Sequence, residues 1–366
     1  MTYLDYQATT PLAPEALEAM LPWLRADQPF AHANPHSSHP PGRAAKAAVE
    51  VARDHIAALL PPGGGLAFTS GATEALNWAI KGTSGGIVTI STEHAAVLDT
   101  VDAEAARGRV VHRLAVNADG RIDLATASAA ITAGTGLVVA MLVNNEIGVV
   151  QPIAELAALA RGAGALMLVD AVQGFGRVPI PNNVDLIALS AHKIHGPKGI
   201  GALWVRGGVA LTPLLHGGQQ ESLGRSGTLS PALCAGFGVA ARLMHDRRGA
   251  DAAHVERLAA AARARIAAGW ALNGSAIDRY PGNLNIRCDR LDVARLMSDL
   301  RDIAFSAGSA CASGSGRPSH VLRAIGLSEQ QARSSIRLGF GRYTREEDLV
   351  NAIDRIMKAA AEQGQW

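Results

Sequence analysis

The sequence predicts an α/β protein, a largely parallel sheet covered by helices, followed by a smaller α+β body. Three observations predict it. Short apolar runs recur at Gly65–Phe68, Ile87–Ile90, Leu137–Val143, Ala165–Val169, Asp185–Leu189 and Ala202–Val205, and most are too short for helices. Alanine-rich helical segments, among them Glu74–Ile80, Ala95–Arg107 and Ile153–Arg161, lie between several of these runs, as crossovers between parallel strands require. From Pro231 to Gly269 the pattern becomes helical, broken near Arg247–Asp251, before strand-like runs return at Asn283–Cys288 and Ile303–Phe305.

The 366 residues suggest two or three domains, and 48% hydrophobic residues suffice for a sizeable core. With 34 basic and 32 acidic residues, the charge is too balanced to grip nucleic acid or an acidic membrane, so a small-molecule substrate fits better. Cys234, Cys288 and Cys311 are too few and too scattered for a disulfide framework or a zinc site, which points to a reducing compartment. Met1–Pro14 lacks the basic-then-apolar layout of a secretory signal, and the expected location is the cytosol. Leu124–Asn145 is uncharged, but Thr, Ser and Gly interrupt it. Its dense part, Leu137–Val143, reads as a buried strand rather than a membrane span. No internal repeat or long linker is visible, and the Gly/Pro clusters at Pro61–Gly65 and Gly207–Gly208 read as turns.

Ligands of such sheets bind beyond the carboxyl ends of the strands, so the polar residues that follow each apolar run carry the functional reading. After Asp185–Leu189 comes Ser190-Ala191-His192-Lys193-Ile194-His195-Gly196, which sets a lysine among hydroxyl, imidazole and glycine neighbours. Such a lysine can form a Schiff base and then act as a base, although taken alone it reads as a surface lysine in a turn. After Gly65–Phe68, Thr69-Ser70-Gly71-Ala72-Thr73-Glu74 begins a helix, where free N–H groups and the Thr73 hydroxyl suit a phosphate. A simple capping box would look similar. Asp170 follows Ala165–Val169, 23 residues before Lys193. A carboxylate there can pair with a pyridinium nitrogen and keep the ring an electron sink, or it can be an ordinary helix cap. Three strand ends offering phosphate donors, an acid and a lysine are more specific than any one of them.

Tyr3-Leu4-Asp5-Tyr6-Gln7-Ala8-Thr9-Thr10-Pro11, Thr69–Glu74, Thr92-Glu93-His94, Asn144–Gly148, Ser190–Gly201, Ser306-Ala307-Gly308-Ser309-Ala310-Cys311 and Ser334-Ser335-Ile336-Arg337 occur in this order. Together they resemble the cysteine desulfurases of the NifS/IscS kind over almost the whole chain. The resemblance implies a fold-type I, class V aminotransferase-like homodimer that uses pyridoxal 5'-phosphate. Its large domain, with a mainly parallel seven-stranded sheet, would span residues 16–246, and residues 1–15 and 247–366 would form a small domain carrying the reactive cysteine. It further implies Lys193 as the Schiff-base lysine, Asp170 as the pyridine-nitrogen partner and His94 as the imidazole stacked on the ring. Asn145 and Gln173 would lie near the phenolic oxygen. Ala72, Thr73, Ser190 and His192 would hold the phosphate, with Thr228 reaching in from the other subunit. Asn34 and Arg337 would hold the substrate carboxylate, for which the planar guanidinium fork is suited.

Cys311 lies in Ser306–Gly316, made almost entirely of small residues with glycines at 308, 314 and 316. Such a segment can move, so its thiol could reach substrate sulfur and carry away a persulfide, whereas Cys234 and Cys288 sit in apolar patterns that read as structural. The implied reaction turns L-cysteine into L-alanine and passes sulfur through Cys311 to an acceptor protein, in iron–sulfur cluster assembly or a thiolation pathway. Transamination needs the same lysine and aspartate but no thiol on a glycine-rich segment. A class V aminotransferase and a selenocysteine lyase are the rival enzymes, and a non-catalytic paralogue would have lost the lysine or the thiol. Two departures from the family stand out. Gly217–Gly224 replaces a segment that usually has an Arg-Gly pair after its glutamate, and the chain stops at Trp366 without the longer tail some members use to dock a scaffold. The spacing from Cys311 to Arg337 resembles members with a long cysteine loop and a broad range of acceptors.

Overall fold

A computed structural model describes residues 1–308 and 318–364. The strands in chain order are β1 (Thr2–Tyr3), β2 (Gly64–Thr69), β3 (Gly86–Ile90), β4 (Val111–Leu114), β5 (Thr135–Met141), β6 (Leu166–Asp170), β7 (Leu186–Ser190), β8 (Gly201–Arg206), β9 (Trp270–Leu272), β10 (Asn283–Cys288), β11 (Ile303–Ala304), β12 (Ser306–Ala307) and β13 (Ser335–Gly339). The helices are α1 (Pro14–Met20), α2 (Pro40–Ala57), α3 (Ala72–Lys81), α4 (Ala95–Ala106), α5 (Leu124–Ala130), α6 (Ile153–Gly162), α7 (Pro231–Asp246), α8 (Arg248–Arg263), α9 (Val293–Asp299), α10 (His320–Ala324), α11 (Glu329–Arg333) and α12 (Glu346–Gln363). None is long and apolar enough to cross a membrane.

The main sheet has seven strands in the order β2-β8-β7-β6-β5-β3-β4, as expected for a fold-type I enzyme of this class. β7, β6, β5, β3 and β4 are mutually parallel. β8 is antiparallel to both β7 and β2, so β2 points the same way as β7. The carboxyl ends of β2, β3, β5, β6 and β7 therefore all open on one edge, and that edge receives Thr69, Ile90, Met141, Asp170 and Ser190. The central strands are apolar without alternation because helices cover both faces. One face packs Phe68, Ile90, Val138 and Val169 against α2 and α7. The other packs Ala67, Ile87, Leu137 and Leu168 with Leu76 and Trp78 of α3. Gly201 lets β8 pass close by, since a Cβ there would lie 2.4 Å from Leu189 O and 2.7 Å from Gly71 Cα.

The six apolar runs of the sequence become β2, β3 and β5–β8. β4 is not among those runs, because an edge strand need bury only part of its surface and its His112 and Arg113 are exposed. The break expected near Arg247–Asp251 is confined to Arg247, where α7 hands over to α8. A second sheet, β12-β13-β10-β9, is antiparallel. With α8, α9 and α12 it encloses a separate apolar core that contains Leu4, Leu258, Ile286, Leu338 and Ile353. A small fourth cluster joins Ile147 and Val149 to Val321 and Leu322 of α10.

Candidate active site

A cavity of about 240 Å³ opens on the shared carboxyl edge. Of the residues singled out in the sequence, Ala72, Thr73, His94, Asn145, Asp170, Gln173, His192, Lys193 and Arg337 line it. Ser190 is buried at the end of β7, just behind that lining. Thr228 and Asn34 are exposed and are not brought to the cavity. Asn34 Oδ1 instead accepts from His36 N at 2.9 Å. Cys311 lies outside the described residues.

Lys193 ends a single 3₁₀ turn after β7. Its Nζ donates to the carbonyls of Gln7 and Ala8, each at 2.7 Å. The N-terminal segment braces this turn further: Thr10 Oγ1 donates to His192 O and accepts from His195 N, and Thr9 Oγ1 meets His192 Nδ1 at 3.1 Å. Gln173 Nε2 donates to Gln7 O at 2.9 Å. Burial, then the charges of Lys193 and Lys198, push the His192 pKa down to about 4, so its ring is neutral at physiological pH.

Asp170, at the end of β6, is 5% exposed, and its Oδ1 accepts from Val172 N at 3.0 Å. Burial raises its pKa, while His94 and Lys193 pull the other way. Glu93 is fully buried; one carboxyl oxygen accepts from Met141 N at 2.7 Å and the other has no hydrogen-bond partner. Burial first, then Asp170, push the Glu93 pKa well up. His94 caps α4: its Nδ1 accepts from Ala96 N at 3.1 Å, which places the proton of the neutral ring on Nε2.

Arg337, on β13, is 1% exposed. It donates from Nη2 to Asp5 Oδ1 at 2.7 Å and from Nη1 to Asn145 O at 3.1 Å, and its Nε is buried without a hydrogen-bond partner. Glu146, next to Asn145, accepts from Ser319 Oγ, and burial pushes its pKa up to about 7. His320 meets Glu93 O at 2.9 Å. The residues that follow the Cys311 segment thus dock beside both Asn145 and His94. Gln7, Ala8, Asp5, Glu93 and Glu146 all lie in the motifs quoted from the sequence, but their roles depend on contacts between distant segments.

Pyridoxal 5'-phosphate fits these groups. The α3 N-terminus begins at Gly71 with no side-chain cap, and nothing lies within 4 Å of a Cβ placed there, which leaves N–H groups open to a phosphate. The buried acid and the lysine stand at the neighbouring strand ends. Among the described residues, no cluster of His, Cys, Asp and Glu is arranged to hold a metal ion.

Two further features concern stability and loop shape. In the 217–224 segment, where the sequence departs from the family, Glu221 turns inward, accepts from Phe68 N at 3.1 Å and pairs with Arg53 at 3.0 Å. His195, 3% exposed with φ +69°, is bonded through Nδ1 to Pro11 O. Burial, then Arg342 and Arg177, push its pKa down from 6.5 to about 3. Because the folded value lies below the unfolded one, this contribution to stability is intact above about pH 6.5 and is lost as pH falls toward 3, amounting to about 5 kcal/mol. His195→Asn removes the titration while tolerating the positive φ. In thermal melts, the stability of the parent should fall more steeply with acid than that of the variant, and parallel slopes would contradict this account.

The family model described as "Aminotransferase class-V" matches residues 2–351, and the chain belongs to that family. A cysteine desulfurase IscS of Rickettsia rickettsii is 43% identical over 372 residues, covering 97% of this chain and 90% of the relative. A solved NifS-like protein of Rickettsia africae superposes with a TM-score of 0.88 at 29% identity, over 98% of this chain and 99% of its own. A structure titled "SspA in complex with cysteine" superposes with a TM-score of 0.83 at 35% identity, over 94% of this chain and all of its own. Within the family, the chain groups with the pyridoxal-phosphate-dependent cysteine desulfurases.

Proposed function

We propose that this chain converts L-cysteine to L-alanine, with Lys193 moving the Cα proton and Cys311 taking the sulfur as a persulfide before handing it to an acceptor protein. The observation that carries this reading is the convergence of Lys193, Asp170, His94 and Arg337 on one cavity at the carboxyl edge of the sheet. As a member of its family the chain is a cysteine desulfurase, and pyridoxal 5'-phosphate is its cofactor.

When bound, the cofactor supplies a protonated ring that absorbs the negative charge left at the substrate Cα. Asp170 would hold the ring nitrogen, with His94 against the ring face and Asn145 and Gln173 at its phenolic oxygen. Ala72, Thr73, Ser190 and His192 would hold the phosphate. Arg337 would fix the substrate carboxylate, its Nε being the nitrogen still without a partner, and Asn34 would assist. Lys193, already among carbonyl acceptors, would take the Cα proton. The Cys311 thiolate would attack the substrate sulfur: an S–S bond forms as the C–S bond breaks, and the electron pair passes to the carbon skeleton, which takes up protons and leaves as alanine.

A homodimer accounts for Thr228, exposed away from its own cavity, as a phosphate ligand in the partner subunit. Residues 16–246 would form the cofactor-binding domain, and residues 1–15 and 247–366 the domain bearing Cys311, a division supported by the two separate apolar cores. The chain would act in the cytosol, and the balanced charge supports a small-molecule substrate over a nucleic-acid partner. Purified protein given cysteine should release alanine and sulfide, and should show no pyruvate-dependent transamination. Cys311→Ser should suppress alanine release, and transamination in place of desulfuration would overturn the reading.

A further inference from the structure

Behind the Lys193 turn lies a second cavity of about 170 Å³, lined by Arg177, Arg248, Arg279, Arg342, Asp251 and Glu256 together with apolar side chains. It shares no lining residue with the cavity at Lys193. Four guanidinium groups face two carboxylates, and Asp251 is already committed to Arg342, at 2.6 Å, and to Arg247, at 3.5 Å.

Arg279 is 8% exposed and, among the described residues, donates to the carbonyls of Ser275 and Ile147, at 3.0 and 2.6 Å. Its Nε and the Nη1 of Arg342, a side chain 3% exposed, are buried with no hydrogen-bond partner. A buried cation without a carboxylate is costly, and so is each orphaned donor. Burial, then Arg263, accordingly push the Arg279 pKa down to about 10. The first turn of α8, uncapped at Arg247, adds the positive end of a 16-residue helix. The rest of the wall includes Val178, Met244, Val255 and Tyr280, which suits a short hydrocarbon chain.

We propose that this cavity binds a small monocarboxylate, whose head lies among the guanidinium groups of Arg279, Arg342 and Arg248 that line it and whose short apolar tail lies against Met244, Val255 and Tyr280. The planar fork of each guanidinium matches a carboxylate, and the volume holds only a few heavy atoms. Arg177 lines the same cavity, packs over the Tyr280 ring at 5.4 Å and donates to Lys193 O. An occupant would therefore touch a residue that braces the catalytic turn. The proposal is independent of the desulfurase reading.

Calorimetric titration of the cofactor-loaded protein with butyrate, and with butyramide as its uncharged counterpart, tests it. Saturable binding of butyrate and none of butyramide is expected. Arg279→Met should abolish that binding. Arg248→Glu, at an exposed position that leaves folding intact, should weaken it by about tenfold. Arg337→Lys should leave it unchanged, which separates this cavity from the substrate site. No butyrate binding, equal binding of butyramide, or binding that is lost in Arg337→Lys and unaltered in Arg248→Glu would overturn the proposal.

Discussion

Lys193→Ala is expected to stop alanine release from cysteine, with the rate falling by at least about a thousandfold. On the proposed reading the lysine has two tasks: it would anchor the cofactor covalently just after β7 and would remove the substrate Cα proton from the same position. Its Nζ lies 2.7 Å from the carbonyls of both Gln7 and Ala8, which hold it at the cavity wall. The other bases of the cavity are placed differently. His192 is bound through Nδ1 to Thr9, and burial holds its pKa near 4. His94 spends Nδ1 on the first turn of α4. The rate of alanine formation and the visible absorption of the purified variant provide the check. A variant that retained more than a small fraction of activity would place the proton transfer elsewhere.

Asp170→Asn should lower kcat by about a hundredfold or more while leaving the protein folded. The substitution keeps the size and the acceptor for Val172 N but removes the negative charge that would hold a proton on the ring. Glu93→Gln is the matched control. Both acids are buried, but burial and the neighbouring Asp170 push Glu93 well above the usual carboxylate range. Changing it to an amide should therefore leave activity within a few-fold of the parent. Steady-state kinetics of both variants decide the matter, and equal damage from the two would contradict a single charged acid at this position.

The sheet was legible because its central strands are buried on both faces and read as unbroken apolar runs. The edge strand β4 was not, since His112 and Arg113 face outward. Lys193, Asp170 and Thr73 were legible because each stands at or within a few residues of a strand's carboxyl end, where local sequence alone places a polar side chain at the ligand edge. Arg337 was visible as a candidate for the cavity, but not its pairing with Asp5, 332 residues away in the chain. The same holds for Gln7 and Ala8, which serve Lys193 through backbone carbonyls and so leave no trace in residue type. Glu146 and Glu93 carry shifted pKa values that arise from burial, a property of packing that no local pattern records. The second cavity lies where α7, α8, the segment after β13 and the turn after β6 meet, and its arginines are spread from position 177 to 342.

The central claim is that sulfur passes from bound cysteine to Cys311 through proton transfer at Lys193. Mass spectrometry of the cofactor-loaded protein after a brief incubation with cysteine tests this most directly. An additional sulfur atom on the peptide containing Cys311 is expected in the parent and not in Lys193→Ala. Its absence from the parent, or its presence at equal level in the lysine variant, would contradict the account.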